Sequence, residues 1–127
     1  MKIQKKDGFT LIEILVAMTV FDIVLFGLAM GTVTVIRTNQ TSGLQASAVN
    51  LAQGKIEEFR AMSTTALAAL SCPSYTSSGC SDAPSASGMT FSRSWRVTAT
   101  SPVTIDVKVD WSDYASRSVT FSASVSQ

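Results

Sequence analysis

The stretch from Phe9 to Ile36 constrains this chain most: 28 residues in which Glu13 and Asp22 are the only charged side chains. As a helix it would extend about 42 Å at roughly 1.5 Å per residue, longer than a hydrocarbon core of about 30 Å. That length and composition read as a single membrane span. A secretory signal has a shorter apolar region, about 7–15 residues, closed by a small-x-small cleavage site, and no such site closes this run. Lys2, Lys5 and Lys6 against Asp7 make a cationic flank. By the positive-inside tendency that flank stays in the cytoplasm and sends the rest of the chain outward. An ionised carboxylate in hydrocarbon is strongly unfavourable without a partner, so Glu13 in GFTLIEILVAM asks for a functional account.

Beyond Ile36 the hydrophobic density falls, but helical spacing continues over 37–62. At 100° per residue, Leu44, Ala48, Leu51, Ala52, Phe59 and Met62 share one face, with Asn50, Gln53 and Glu57 opposite. Gly43 and Gly54 lower the helix propensity and mark places for a bend. Ser63 to Leu70 reads as a short helical turn, and Ser71 to Gly88 reads as a loop from its Pro, Gly and Ser content. Three segments then alternate apolar and polar residues. Their apolar positions are Met89, Phe91, Trp95, Val97 and Ala99; Val103, Ile105, Val107, Val109 and Trp111; and Val119, Phe121, Ala123 and Val125. Connections at Thr100–Pro102 and Ser112–Arg117 suit an antiparallel meander of about three strands. Such a sheet cannot bury its dry face alone, and the stripe from Leu44 to Met62 is the available cover. The expectation is an α+β fold, with the second half of a long helix across a small sheet. Arg93 shares the parity of Trp95, and we expect it at the sheet margin with its stem on an aromatic ring.

Cys72 and Cys80 bracket CPSYTSSGC. Outside the cytoplasm this pair could close a short loop, whereas two Cys and no His cannot complete a zinc site alone. The lack of His, of a Gly-rich phosphate loop and of a clustered polar motif argues against an enzyme, and no cofactor is expected. Asp106, Asp110 and Asp113 read as solvated sheet and turn positions. From Ser63 onward Arg93, Arg96, Lys108 and Arg117 balance Asp82, Asp106, Asp110 and Asp113. That neutrality argues against strong nucleic-acid binding.

GFTLIEILVAM resembles the class III leader junction of type IV pilins and of type II secretion pseudopilins. The match runs residue by residue: a short basic leader at 1–8, Gly8 at the cut, Phe9 as the new N-terminus, and Glu13 fifth in the mature chain. The resemblance implies that a prepilin peptidase cleaves Gly8 from Phe9 and methylates the Phe9 amine. It further implies that Glu13 meets the Phe9 amine of a neighbouring subunit, so that its partner is intermolecular. Loss of the leader takes the side-chain net charge from +1 to −1. It also removes the basic anchor, which would ease extraction from the bilayer.

Gly27 and Gly31 form a small-xxx-small pair. Gly31 lies 18 residues after Glu13 and returns to its helical angle, and Gly27 is about 40° away, so one face carries the acid and both glycines. We expect that face to dock on neighbouring stems. Asp22 points to the opposite side and departs from the family's apolar pattern.

The division expected is a leader (1–8), a transmembrane assembly helix (9–36), its amphipathic continuation (37–62) and a small head outside the cytoplasm (63–127). NLAQGKIEEFRAM, the Cys pair and VKVDWSD followed by a Ser/Thr-rich terminal strand are similar to minor pilins of the pilus-modification group. The resemblance implies a subunit that initiates, primes or decorates a type IV pilus. Its implied partners are prepilin peptidase, major and minor pilins, the inner-membrane assembly platform and, before assembly, membrane lipid. A minor pseudopilin of type II secretion is the alternative on the same stem. An adhesive or DNA-uptake subunit is the alternative of another class.

Overall fold

A computed structural model of the protein describes residues 8–98 and 102–125. Lys2, Lys5, Lys6 and Asp7 of the leader, and Ala99 to Ser101 between two strands, lie outside the described residues. The chain divides into two compact units, one ending at Asn39 and one covering Gln40–Gln127.

The helix α1 spans Leu11–Arg60. It is the one helix among the described residues long and apolar enough to cross a membrane. In the first unit its large apolar side chains from Phe9 to Ile36 are 47–81% exposed, so this unit has no core of its own. The threonine hydroxyls are satisfied within the helix: Thr19 donates to the Val16 carbonyl at 2.8 Å, Thr32 to Leu28 at 2.9 Å and Thr34 to Met30 at 3.1 Å. A helix that carries its own acceptors for side-chain and backbone donors can sit in lipid without unmet polar groups.

The second unit contains the core. The residues from Gln40 to Arg60 cover the sheet through Ala48, Ala52, Ile56 and Phe59, all buried, with Leu44, Leu51 and Met62 packed beside them. This is the expected stripe, with Ile56 added one turn after Ala52. Small Ala48 and Ala52 let the backbone approach the sheet, and Phe59 then fills the space by meeting Trp95 edge-on at 5.7 Å. Burying a ring such as Phe59 stabilises by about 1.5–3 kcal/mol. The helix stays regular through Gly43 and Gly54, since packing outweighs a glycine penalty of about 1 kcal/mol. A second helix, α2 (Thr64–Ala69), begins at an N-cap where Ser63 accepts from the Ala66 amide, and it buries Leu67.

The main sheet has four strands in the order β1-β4-β5-β6, all antiparallel: β1 (Ser81–Asp82), β4 (Ser92–Thr98), β5 (Val103–Ser112) and β6 (Ser116–Val125). The three expected strands are therefore joined by a short fourth, Ser81–Asp82, inside a segment expected to be all loop. The same segment begins a small hairpin, β2 (Ser85–Ala86) with β3 (Met89–Thr90). Ser87 and Gly88 at its tip both have positive φ, +51° and +75°. Two such residues make the tight turn whose twist matches a hairpin. The alternating segment that begins at Met89 is consequently split at Phe91, whose amide donates to the Pro84 carbonyl at 2.9 Å. Ile105, Val107 and Val109 of β5 are fully buried, as befits an interior strand.

Two sequence expectations are corrected. Arg93 is held by a two-pronged ion pair to Asp82 and by a 3.0 Å bond to the Leu51 carbonyl, which ties β4 to the helix. Over the Phe59 and Trp95 rings it is Lys55 that sits, 5.0 Å from the first and 4.6 Å from the second. Asp106 is not a solvated position, being 6% exposed. The Asp113 side chain is similarly enclosed.

Candidate processing and assembly site

Gly8, Phe9 and Thr10 precede the first helical residue, Leu11. Thr10 starts the helix: its carbonyl accepts from the amides of Glu13 at 3.1 Å and Ile14 at 3.2 Å, and its hydroxyl accepts from Glu13 at 3.4 Å. The spacing Thr10-x-x-Glu13 is that of a capping box, a signal present in the sequence and missed in reading it. An acid in the first turn also suits the positive end of the helix dipole. The position of Glu13 therefore suits the start of the helix.

Phe9, Glu13, Ile14, Ala17, Met18 and Phe21 line a shallow groove of about 570 Å³ along the helix. The helix thus brings Phe9 and Glu13 to one surface. Gly31 follows on the same angular face, and a methyl group built on Gly27 or Gly31 would meet nothing within 4 Å. Those two glycines are not needed for packing within the first unit. Asp22, nine residues after Glu13, lies on the far side of the helix and outside the groove.

In the second unit Cys72 and Cys80 are joined as a disulfide, with Cα atoms 5.8 Å apart. The carbonyls of these two residues accept from the β4 edge, Cys80 from Trp95 at 2.9 Å and Cys72 from Val97 at 2.8 Å. The loop that the disulfide closes therefore covers that edge. Within it Tyr75 receives the Arg96 guanidinium 5.4 Å from its ring centroid. Arg96 also donates through Nε to Asp106 Oδ2 at 3.0 Å, and Ser122 donates to Oδ1 at 2.5 Å, linking β4, β5 and β6 in one row. Burial pushes the Asp106 carboxyl up, but the bonds from Ser122 and Arg96 and the Arg96 charge together hold it below its ordinary value. Asp113 closes the β5–β6 turn by accepting from the amides of Tyr114 at 2.7 Å and Ala115 at 3.1 Å, and Thr41 donates to its other oxygen at 3.2 Å. These bonds, led by that from Ala115, hold its carboxyl low as well. Both acids are engaged in holding the fold. Among the described residues no three His, Cys, Asp or Glu side chains are gathered as a metal site.

The basic leader, the Gly8–Phe9 junction and the long apolar helix with its early acid now stand together, and comparison with known families bears on that combination. Residues 3–34 match the family model of the prokaryotic N-terminal methylation motif. This motif covers about a quarter of the chain, including Gly8, Phe9, Glu13, Gly27 and Gly31. No curated protein and no solved structure matches the chain. The N-terminal methylation motif is consistent with the type IV pilin and pseudopilin family. A long apolar-to-amphipathic helix with an antiparallel sheet is the pilin-like α+β arrangement. Motif and apolar helix together fit membrane anchoring and support a pilin-like or pseudopilin subunit.

Proposed function

We propose that the protein is a minor pilin, a structural subunit that helps to initiate, prime or decorate a type IV pilus. The observation that carries this reading is the N-terminal methylation motif at 3–34, laid on a helix whose apolar side chains are exposed along 9–36. A surface of that kind is stable only in lipid or against other apolar helices, and a filament core supplies the second environment.

In this reading prepilin peptidase cuts between Gly8 and Phe9 and methylates the Phe9 amine. The remainder is held in the inner membrane as a single span with residues 63–127 outside the cytoplasm, and the assembly platform moves it into the filament. Glu13 then pairs with the Phe9 amine of a neighbour, while Gly27 and Gly31 admit the neighbouring helix. A charged pair in low dielectric is less costly than either charge alone, so Glu13 sets register more than it adds net stability. The role is structural; catalysis is not part of it.

The test is an in-frame deletion beside its complemented parent, both unable to retract pili, with surface pili counted by electron microscopy. A sharp loss restored by the gene supports the reading. Unchanged pili together with lost protein secretion would move the protein to a type II secretion pseudopilus, which the motif fits equally well. Salt-sensitive DNA retention in a filter assay would favour a DNA-uptake subunit instead.

A further inference from the structure

The two edges of the main sheet are treated differently. On the β4 side, β1 and the carbonyls of Cys72 and Cys80 satisfy the strand. On the other side, nothing among the described residues pairs with β6. Natural sheets blunt an open edge with several charged side chains, Pro, bulges or short strands. The β6 segment has little of this: Ser116–Val125 is ten residues long, has Arg117 near its start as its single charge, holds no Pro, and keeps one unbroken register with β5.

The register also says which backbone groups are free. Trp95 and Val97 direct their amides to the covered edge, and successive residues of a strand direct their amides and carbonyls alternately to either side. Ser94, Arg96 and Thr98 therefore bond to Lys108, Asp106 and Thr104, and the odd-numbered residues of β5 bond to their odd-numbered partners in β6. That leaves the main-chain groups of Ser116, Ser118, Thr120, Ser122 and Ser124 aimed at the open edge. All five have small hydroxyl side chains on the exposed face. On the other face Val119 and Phe121 are only half-buried, although Val107 and Val109 beside them are fully buried.

From this we infer that β6 is an interface for a second copy of this chain, pairing antiparallel with its own equivalent about a two-fold axis at Thr120. That register gives the longest overlap, 116 to 124, and brings free groups only against free groups: Ser116 against Ser124, Ser118 against Ser122, Thr120 against itself. It forms about ten new backbone hydrogen bonds. It sets Val119 opposite Phe121 on the apolar face, a favourable cross-strand combination, and completes their burial. It also sets Arg117 opposite Ala123, so that the two copies of Arg117 lie about 20 Å apart and do not repel. The result is one continuous sheet across two chains. The inference does not depend on the pilus reading.

The test uses the full-length chain in isolated membranes, with single cysteines added by Thr120→Cys or Ser116→Cys. Across the two-fold axis the Thr120 Cα atoms would be about 5.5 Å apart, within disulfide reach, whereas the two Ser116 positions would be about 27 Å apart. Mild oxidation should give at least about tenfold more covalent dimer for T120C than for S116C. Ser118→Cys co-expressed with Ser122→Cys should cross-link as a mixed pair. A T120C chain that keeps the Cys72–Cys80 bond yet stays monomeric would overturn the inference. Equal linking of T120C and S116C, or capture of a different protein in place of the second copy, would do the same. Thr120→Pro removes one outward amide without touching the β5 bonds, so it should shift the sedimenting species of the wild-type chain from dimer to monomer. A wild-type chain that already sediments as a monomer counts against the interface.

Discussion

Arg96 and Asp106 stand directly opposite each other in the β4–β5 register, and the guanidinium reaches the nearly buried carboxylate through Nε at 3.0 Å. The two partners are unequal. The Arg96 side chain is 44% exposed while that of Asp106 is 9% exposed, so losing the arginine leaves a buried charge and losing the acid leaves a solvated one. Arg96→Ala should lower stability, since it strips the nearly buried carboxylate of its charge partner, and Ser122→Ala should cost about 1 kcal/mol. Denaturant unfolding of the detergent-solubilised chain reads both. An Arg96→Ala midpoint equal to wild type would mean that Ser122 alone suffices.

The two depressed carboxyls predict an acid limit. Asp106 and Asp113 bind protons less readily folded than unfolded. Their contribution is therefore present above the unfolded value of about 3.9 and is lost as pH falls through the lower folded values. Thermal midpoints of the sheet unit should be flat between neutrality and mild acid and should fall below about pH 4. A decline already complete by mild acid would point to other groups.

Phe59 joins the helix to Trp95 and is 2% exposed. Phe59→Ala should remove about 3–5 kcal/mol, enough to leave a domain of this size poorly folded. Protease resistance of the sheet unit is the direct readout, and a resistant Phe59→Ala chain would place the core elsewhere.

Reduction of Cys72–Cys80 should cost about 2.5 kcal/mol by loop-closure reasoning. It should also raise amide exchange at Trp95 and Val97, whose acceptors are the carbonyls of those same cysteines. Lost stability with those two amides still protected would show that the loop holds the edge without its covalent bond.

Asp22 lies within the apolar stretch on the side of the helix away from Glu13, and in the proposed span an acid at such a place is usually functional. Asp22→Ala should leave leader cleavage unchanged by mass spectrometry and alter the amount of subunit recovered in sheared filaments. Normal incorporation would mean that Asp22 is tolerated and not used.

An unbroken apolar run was enough for the first half of the long helix, and periodicity for its covering stripe and the three main strands, because burial on one face leaves a repeat in the sequence itself. Periodicity was not enough for β1 or the β2–β3 hairpin. Those are two-residue strands, too short to show any repeat, inside a segment whose Pro, Gly and Ser content reads as loop. Asp106 was misread for a related reason. Its outward parity is correct, but its burial comes from Arg96 and Ser122 on neighbouring strands, and from Tyr75 stacked beneath Arg96. Pairings of that kind depend on register, which composition does not reveal. At the N-terminus the acid is legible as out of place, whereas its spacing from Thr10 is a single four-residue pattern with no repeat to mark it.

The helix starts at Leu11, two residues past Phe9. With Gly8 in place, the chain entering that first turn is an uncharged peptide. Removal of residues 1–8, as proposed, would set a cationic amine within a turn of the helix's positive pole, where like sign is disfavoured. Glu13 is the only acid in that turn, and it cannot both balance its own amine fully and serve another. Cutting the leader would thus leave each subunit with an electrostatic debt at its tip that an approaching acid can relieve, and proteolysis itself becomes the step that makes the subunit seek a neighbour.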